Sequence, residues 1–248
     1  MAKLVMTVEQ MGDQAAWLAM RNKGLGGSDI ATVMGLNKYK SPLRLWMEKT
    51  GQLDEEDLSD NQYVRFGQKF EPVLAECFTE DTGLKVRRVG LMQHDDHPWA
   101  LASIDRMIVG QNELLEIKTG GAFTGKNWDG DEIPDSYYCQ VQWYLFVSGC
   151  ERAHIYCLIG GNKPIYKVVE RNEEDIKRIF EDAKEFWHKV ENNIMPDIDG
   201  HEDTSNVLSE QFNRGIEAQI CLPKDIEGLL AERDECNKSI KAIEERVN

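Results

Sequence analysis

Residues 103–118 read Ser-Ile-Asp-Arg-Met-Ile-Val-Gly-Gln-Asn-Glu-Leu-Leu-Glu-Ile-Lys. Two strand-like runs flank a turn containing Gly110, a pattern that predicts a hairpin. With Gly110-Gln111 as a two-residue loop, residue i faces residue 221 − i, because the loop centre lies between 110 and 111. Asp105 then faces Glu116, and Ser103 faces Lys118. Period-2 alternation puts Glu116 and Lys118 on one face, and cross-strand pairing adds Asp105 and Ser103 to it. Two carboxylates and an ammonium therefore gather on one patch. Carboxylates that close repel unless a cation lies between them, and hard divalent ions take oxygen ligands of this kind. A three-residue loop would break the register. Charges alternating along a strand are commonly a solvated face, but Leu114, Leu115 and Ile117 make this strand nearly continuous in apolar character. That is the pattern of burial on both faces, where a Glu and a Lys need partners or a task.

The rest of the chain frames this patch. Its 248 residues, 41% hydrophobic, suffice for one large domain, or one domain with an appendage. No apolar run is long enough to span a bilayer, and the N-terminus lacks the apolar region and cleavage site of a secretory signal. The six cysteines are scattered without a Cys-x-x-Cys pair, and the five histidines show no zinc spacing. Reduced, mostly buried thiols in a cytoplasm are the expectation. The net charge of −15 is unevenly spread. Residues 170–248 carry 11 basic and 21 acidic side chains. Residues 21–49 carry six basic side chains (Arg21, Lys23, Lys38, Lys40, Arg44, Lys49) against Asp29 and Glu48. A local phosphate-binding surface on an acidic body is therefore permitted.

Along the chain, apolar spacing predicts a first helix at roughly 8–22. A glycine-rich turn at 24–27 follows, then Ser28 as N-cap of a short helix to 35, a helix start suited to a phosphate. Ser41-Pro42 opens a helix ending near Gly51, and residues 54–60 form an acidic loop. Residues 62–82 read as one long helix with Pro72 inside it and a kink expected beside Glu71. Strands are expected at about 85–93, 99–109 and 113–119, a loop at 120–134, and a helix from Pro134 to about 148. A hairpin at 152–170 turns through Gly160-Gly161-Asn162. An amphipathic helix spans 172–192, residues 196–206 make a polar linker, and a charged helix covers 224–247.

Several of these segments carry a family resemblance. Gly26-Gly27-Ser28-Asp29-Ile30-Ala31, the run Lys40–Gly51, Glu71, Ser103-x-Asp105, Glu116-Ile117-Lys118 and Gln140-Val141-Gln142-Trp143-Tyr144-Leu145 resemble the signatures of the YqaJ-type viral recombinases. These are the lambda-exonuclease family of the PD-(D/E)xK nucleases, and the resemblance covers about 21–196. It implies an α/β fold with a mixed sheet flanked by helices. Residues 1–196 would be the nuclease domain and 197–248 a linker with an acidic helical extension.

It further implies Mg²⁺, with Mn²⁺ able to substitute, held by Asp105, Glu116, the Ile117 carbonyl and Glu71, the last directly or through water. Lys118 would position or deprotonate the attacking water, and Gln140, or else Gln142, would orient it. Arg21, Ser28 and Ser103, with Lys38 and Lys40 nearby, would grip DNA and a terminal 5′-phosphate. The implied activity is 5′→3′ digestion of one strand of linear duplex DNA, leaving 3′ overhangs. The implied partners are DNA ends, a single-strand annealing protein and further copies of the chain in a ring-shaped trimer. The setting would be a bacterial cell with the gene carried by phage or prophage. An endonuclease on the same core (restriction, nicking or junction-cutting) and a DNA-end-binding module without catalysis are the competing readings. Trp46, Trp143 and Tyr144 are expected in the core rather than as base-stacking platforms.

Overall fold

The computed structural model describes residues 2–58, 60–122, 128, 130, 132–212 and 224–247. Part of the expected loop at 120–134 and Cys221 lie outside these residues. The predicted hairpin forms: β5 (Arg106–Ile108) pairs antiparallel with β6 (Glu113–Gly120), Arg106 opposite Leu115 and Met107 opposite Leu114. This is the register expected from the 221 − i rule. The turn, however, spans 109–112, with Gly110 at φ +80°, wider than the two-residue loop that suggested it.

β6 also runs parallel to β7 (Arg152–Ile159), which pairs antiparallel with β8 (Lys163–Glu170). β2 (Val86–Arg87) completes a five-stranded mixed sheet in the order β2-β5-β6-β7-β8. β6 sits at its centre and is covered on both sides. Leu115 and Ile117 pack with Leu74, Ala75 and Phe78 of α4 (Gln62–Thr82). Leu114 packs on the other side into the larger core, which takes in α5 (Asp135–Ser148) and α6 (Glu173–Glu191). Glu116 and Lys118, in step with Leu114, face α5.

A second sheet is three-stranded, with β1 (Lys3–Met6), β3 (Leu91–Gln93) and β4 (Leu101–Ala102) in the order β1-β3-β4. The long strands expected at 85–93 and 99–109 are therefore each cut in two and shared between sheets. The cause is tertiary. At Gly90 an added Cβ would stand 1.8 Å from the Met6 carbonyl oxygen, so β1 passes against a backbone that only glycine can present. The chain crosses back at 103–105, which leaves Asp105 just before β5.

The helices follow the caps written in the sequence. α4 stops at Gly83, φ +74°, and contains Pro72. α3 (Pro42–Lys49) starts at Ser41, whose side chain accepts from the Arg44 N–H. The first helix is shorter than expected, a 3₁₀ turn at Gln10–Gly12 and then α1 (Gln14–Arg21) capped by Asp13. α2 (Gly27–Val33) takes Gly26, not Ser28, as its N-cap. Asp29 performs the capping from within the helix by accepting the Gly26 N–H at 3.0 Å. The expected linker at 196–206 instead gives way to α7 (Glu202–Phe212). Asp203 there accepts from the Ser41 N–H at 2.8 Å and pairs with Arg44 at 2.7 Å. The compact unit accordingly runs Met1–Leu208. The second unit, Ser209–Asn248, contains α8 (Lys224–Val247), with Leu229, Ile240 and Ile243 exposed. Among the described residues no helix is long and apolar enough to cross a membrane.

Candidate active site

Glu116 is 3% exposed in the middle of β6, and its two oxygens have opposite fates. Oε1 accepts from Lys118 Nζ at 2.6 Å and from Gln140 Nε2 at 2.9 Å. Oε2 is buried with no hydrogen-bond partner among the described residues. Gln140 closes the loop: its Oε1 accepts from Lys118 at 3.1 Å, and its Nε2 also donates to the Tyr144 hydroxyl at 2.9 Å. Gln140 and Tyr144, four residues apart, share one face of α5. Lys118 lies 4.9 Å over the Tyr137 ring. Burial opposes the ammonium, but Glu116 and then Asp105 hold its pKa above the ordinary value, so it is a firm cation. Burial pushes Tyr144 well up, with Glu116 and Asp105 adding to the effect, so its hydroxyl stays neutral.

Asp105 stands where β5 has not yet joined β6. In a continued ladder the Ile117 N–H would meet residue 104; here it donates to Asp105 Oδ2 at 2.7 Å. N–H and C=O of one strand residue point to the same side, so the Ile117 carbonyl also faces this gap. Burial and then the charge of Glu116 raise the Asp105 pKa well above the usual carboxylate range. The pair is thus short of positive charge. An orphaned, buried carboxylate oxygen beside a carboxylate that resists ionisation fits a hard divalent cation, with Asp105, Glu116 and the Ile117 carbonyl as donors. Among the described residues no group of three or more His, Cys, Asp or Glu is gathered as a metal site. Glu71 shows why: its Oε1 pairs with Arg106 Nη1 at 2.5 Å, and the same nitrogen donates to the Asp105 carbonyl at 2.6 Å. Glu71 lines the cleft beside Asp105, engaged by an arginine.

The structure does not bring all the expected residues together. Gln142 is buried, donates to the Glu170 carbonyl and accepts from the Asn172 N–H, a purely structural amide. Arg21 and Ser28 do meet, Nη2 to Oγ at 2.9 Å. Arg21 also pairs with Asp29 and with Glu55, each at 3.3 Å, and Lys49 pairs with Asp29 at 3.1 Å. Asp29 is buried, yet Lys49, Arg21 and the Gly26 N–H pull its pKa down to about 2. Ser103 lines an 80 Å³ cavity with Arg88, Glu71, Asp105 and Arg106. Lys40 pairs with the buried Glu48 at 2.7 Å, and Lys38 is exposed. Four basic side chains of the 21–49 segment, Arg21, Lys40, Arg44 and Lys49, are therefore matched to carboxylates rather than spread as an open patch.

Two clefts run along α4. One, of about 1040 Å³, is lined by Glu71, Asp105, Lys118 and the exposed aromatics Tyr63, Phe66 and Phe70. The other, of about 780 Å³, is lined by Arg21, Glu55, Arg65 and Arg88, and both touch Val64 and Gln68. A second link joins the Arg21 cluster to Glu116. Gly27 abuts Tyr144 so closely that an added Cβ would lie 2.3 Å from its ring, and Tyr144 bonds Gln140. Arg106, Glu55 and the α4 aromatics were not among the residues expected here, and Tyr144, expected in the core, is buried there and also bonds Gln140. A signal for the aromatics existed: 63, 66 and 70 repeat at helical spacing while the buried stripe of that helix is Leu74, Ala75 and Phe78.

This mixed sheet, with an acidic pair and a lysine at the point where two of its strands part, is the PD-(D/E)xK nuclease fold. The alkaline exonuclease LHK-Exo of Laribacter hongkongensis matches it with a TM-score of 0.63 at 21% identity, over 79% of this chain and 99% of that one. The YqaJ-like viral recombinase domain family matches residues 16–151, and the chain belongs to that family. The uncharacterized YqaJ protein of Bacillus subtilis is 42% identical over 200 residues, 79% of this chain. The uncharacterized protein R354 of Acanthamoeba polyphaga mimivirus is 29% identical over 147 residues, 53% of this chain. The chain spans 62% and 26% of these two relatives.

Proposed function

We propose that this chain is a divalent-metal-dependent deoxyribonuclease that digests one strand of linear duplex DNA from its 5′ end. The observation that carries the reading is the Asp105–Glu116–Lys118–Gln140 constellation, with its orphaned Glu116 oxygen, opening into a cleft of about 1040 Å³. Phosphodiester hydrolysis needs an activated water, charge relief on the non-bridging oxygens and help for the leaving oxygen, and a bound Mg²⁺ or Mn²⁺ supplies these. Asp105, Glu116 and the Ile117 carbonyl would hold it. Lys118 stays protonated beside Glu116, which suits it to orient the water and to offset charge gathering on the phosphoryl group. Gln140 fixes Lys118 and Glu116 relative to each other, and Tyr144 fixes Gln140. Arg106 takes charge off Glu71, so the cleft presents fewer uncompensated carboxylates to an anionic substrate. Tyr63, Phe66 and Phe70 offer ring faces along the same cleft, a surface suited to unpaired bases.

The 5′ polarity draws on the Arg21–Ser28 pair, which could take a terminal phosphate, and on family membership. The related fold is that of a protein named an exonuclease, also solved in complex with dAMP. Action from DNA ends, in a ring of identical copies and ahead of a single-strand annealing protein within a phage or prophage recombination system of the bacterial cytoplasm, completes the proposal. Linear duplex labelled at the 5′ or the 3′ end, digested with Mg²⁺ and with EDTA, tests it. Early release of the 5′ label with retention of the 3′ label, abolished by EDTA, is expected. Early loss of the 3′ label, or linearisation of an intact plasmid, would replace the reading with a different nuclease.

A further inference from the structure

Glu55 is paired with Arg21, the guanidinium on which the proposed end-binding pocket rests. Of the two carboxylates on Arg21, Asp29 belongs to the fold. It is buried, caps α2 through the Gly26 N–H and is shared with Lys49. Glu55 is different. It sits in an acidic segment, 54–58, without regular secondary structure, and it reaches Arg21 Nη1 at 3.3 Å. That is long for a charge-assisted bond, commonly 2.7–2.9 Å, and equals the Arg21–Asp29 distance, so what sets Glu55 apart is its other oxygen. Its second oxygen, Oε2, is buried with no hydrogen-bond partner among the described residues. An anionic group with one long bond and one empty oxygen is poorly satisfied where it lies. The cleft around it also holds Arg65 and Arg88, so displaced or incoming negative charge finds cations close by.

We propose that Glu55 is a resident occupant of the 5′-phosphate pocket and is exchanged for the terminal phosphate when a DNA end arrives. The inference rests on the end-binding reading of Arg21 and Ser28. A terminal phosphomonoester carries about −1.5 to −2 charges and three free oxygens at neutral pH, so it replaces a carboxylate on Arg21 at a gain. An internal phosphodiester carries one charge and two free oxygens and does no better than the carboxylate it must displace. Glu55 thereby holds the pocket closed to DNA interiors and open to phosphorylated ends. Because the pocket is available only while Glu55 is away, the apparent affinity of any ligand that uses Arg21 falls by the open fraction.

Binding in EDTA, by fluorescence anisotropy on hairpin duplexes with a 5′-phosphate or a 5′-hydroxyl, tests this without metal chemistry. Glu55→Gln keeps shape and removes the competing charge. It should tighten the 5′-phosphate duplex about two- to fivefold more than the 5′-hydroxyl duplex, as expected for loss of one partly buried ion pair of modest strength. Glu56→Gln, the same charge change one residue on, should move both duplexes equally. Equal tightening of both duplexes by Glu55→Gln, or no change in either with an unaltered melting temperature, would overturn the role of Glu55. Arg21→Ala separates the two levels. Loss of the 5′-phosphate preference upholds the pocket, whereas an intact preference would remove the pocket and Glu55's role with it.

Discussion

The Asp105–Glu116–Lys118 cluster and the Arg21–Asp29–Lys49 cluster are built from the same kinds of side chain and reach opposite electrostatic states. In the second, one buried carboxylate meets two cations and a backbone N–H, and the Asp29 pKa falls to about 2. In the first, two carboxylates share one ammonium, the Asp105 pKa rises well above its ordinary range, and a Glu116 oxygen is left without a partner. Folding satisfies one cluster and leaves the other short of a cation. A site that the chain itself does not complete is where a bound ion has the most to add.

The largest expected effect breaks the chemistry of the unsatisfied cluster. Asp105→Asn, Glu116→Gln or Lys118→Ala should each lower turnover in Mg²⁺ by about 10³-fold or more, measured on linear duplex. The same Asp105→Asn change should not harm the fold. Its folded-state pKa lies above the unfolded value, so its ionised form opposes folding and stability falls as pH rises through the folded pKa. In metal-free buffer the variant should therefore melt above the wild type at pH 8, and the two should converge below about pH 4.

Next comes the satisfied cluster, where the sign reverses. With its pKa lowered from 3.8 to about 2, Asp29 contributes about 2 kcal/mol, present above pH 4 and lost as pH falls towards 2. Asp29→Asn also strands Lys49 and Arg21, so about 3–5 kcal/mol of destabilisation is expected at pH 7. Urea titration would show it, and a loss under 1 kcal/mol would undo the contrast between the clusters. A smaller effect is expected for Arg21→Ala, about tenfold lower activity on 5′-phosphorylated duplex and far less on 5′-hydroxyl duplex. An equal loss on both, with a lower melting temperature, would make Arg21 a structural ion pair. Smallest is Phe66→Ala, about fivefold in KM at unchanged melting temperature, as for one lost base-stacking contact on an exposed ring.

Local rules carried much of the architecture. The Arg106–Leu115 register, the ends of α4 at Gly83 and of α3 at Ser41, and the Gly160-Gly161 turn all rest on residues close in sequence. The departures are long-range. β1 against Gly90 splits one expected strand, and Asp203 docks α7 onto the start of α3 across more than 150 residues. In the site, Asp105, Glu116 and Lys118 were legible because hairpin register and strand alternation place them together, and Gln140 through the family resemblance of the 140–145 run. The partners of Glu71 and Arg21 were not. Arg106 and Glu55 are charged residues whose roles depend on which distant carboxylate or guanidinium the fold turns towards them. For the same reason the basic run at 21–49 did not show that Arg21, Lys40, Arg44 and Lys49 pair with carboxylates, which a linear charge count cannot assign.

Calorimetric titration of Mn²⁺ into the DNA-free protein shows whether folding leaves Asp105 and Glu116 one cation short. Saturable binding by the wild type, together with a raised melting temperature, is expected. Binding should be lost in both Asp105→Asn and Glu116→Gln, whose melting temperatures Mn²⁺ should no longer raise. Undiminished Mn²⁺ binding by both variants, or none by a correctly folded wild type, would contradict that shortage.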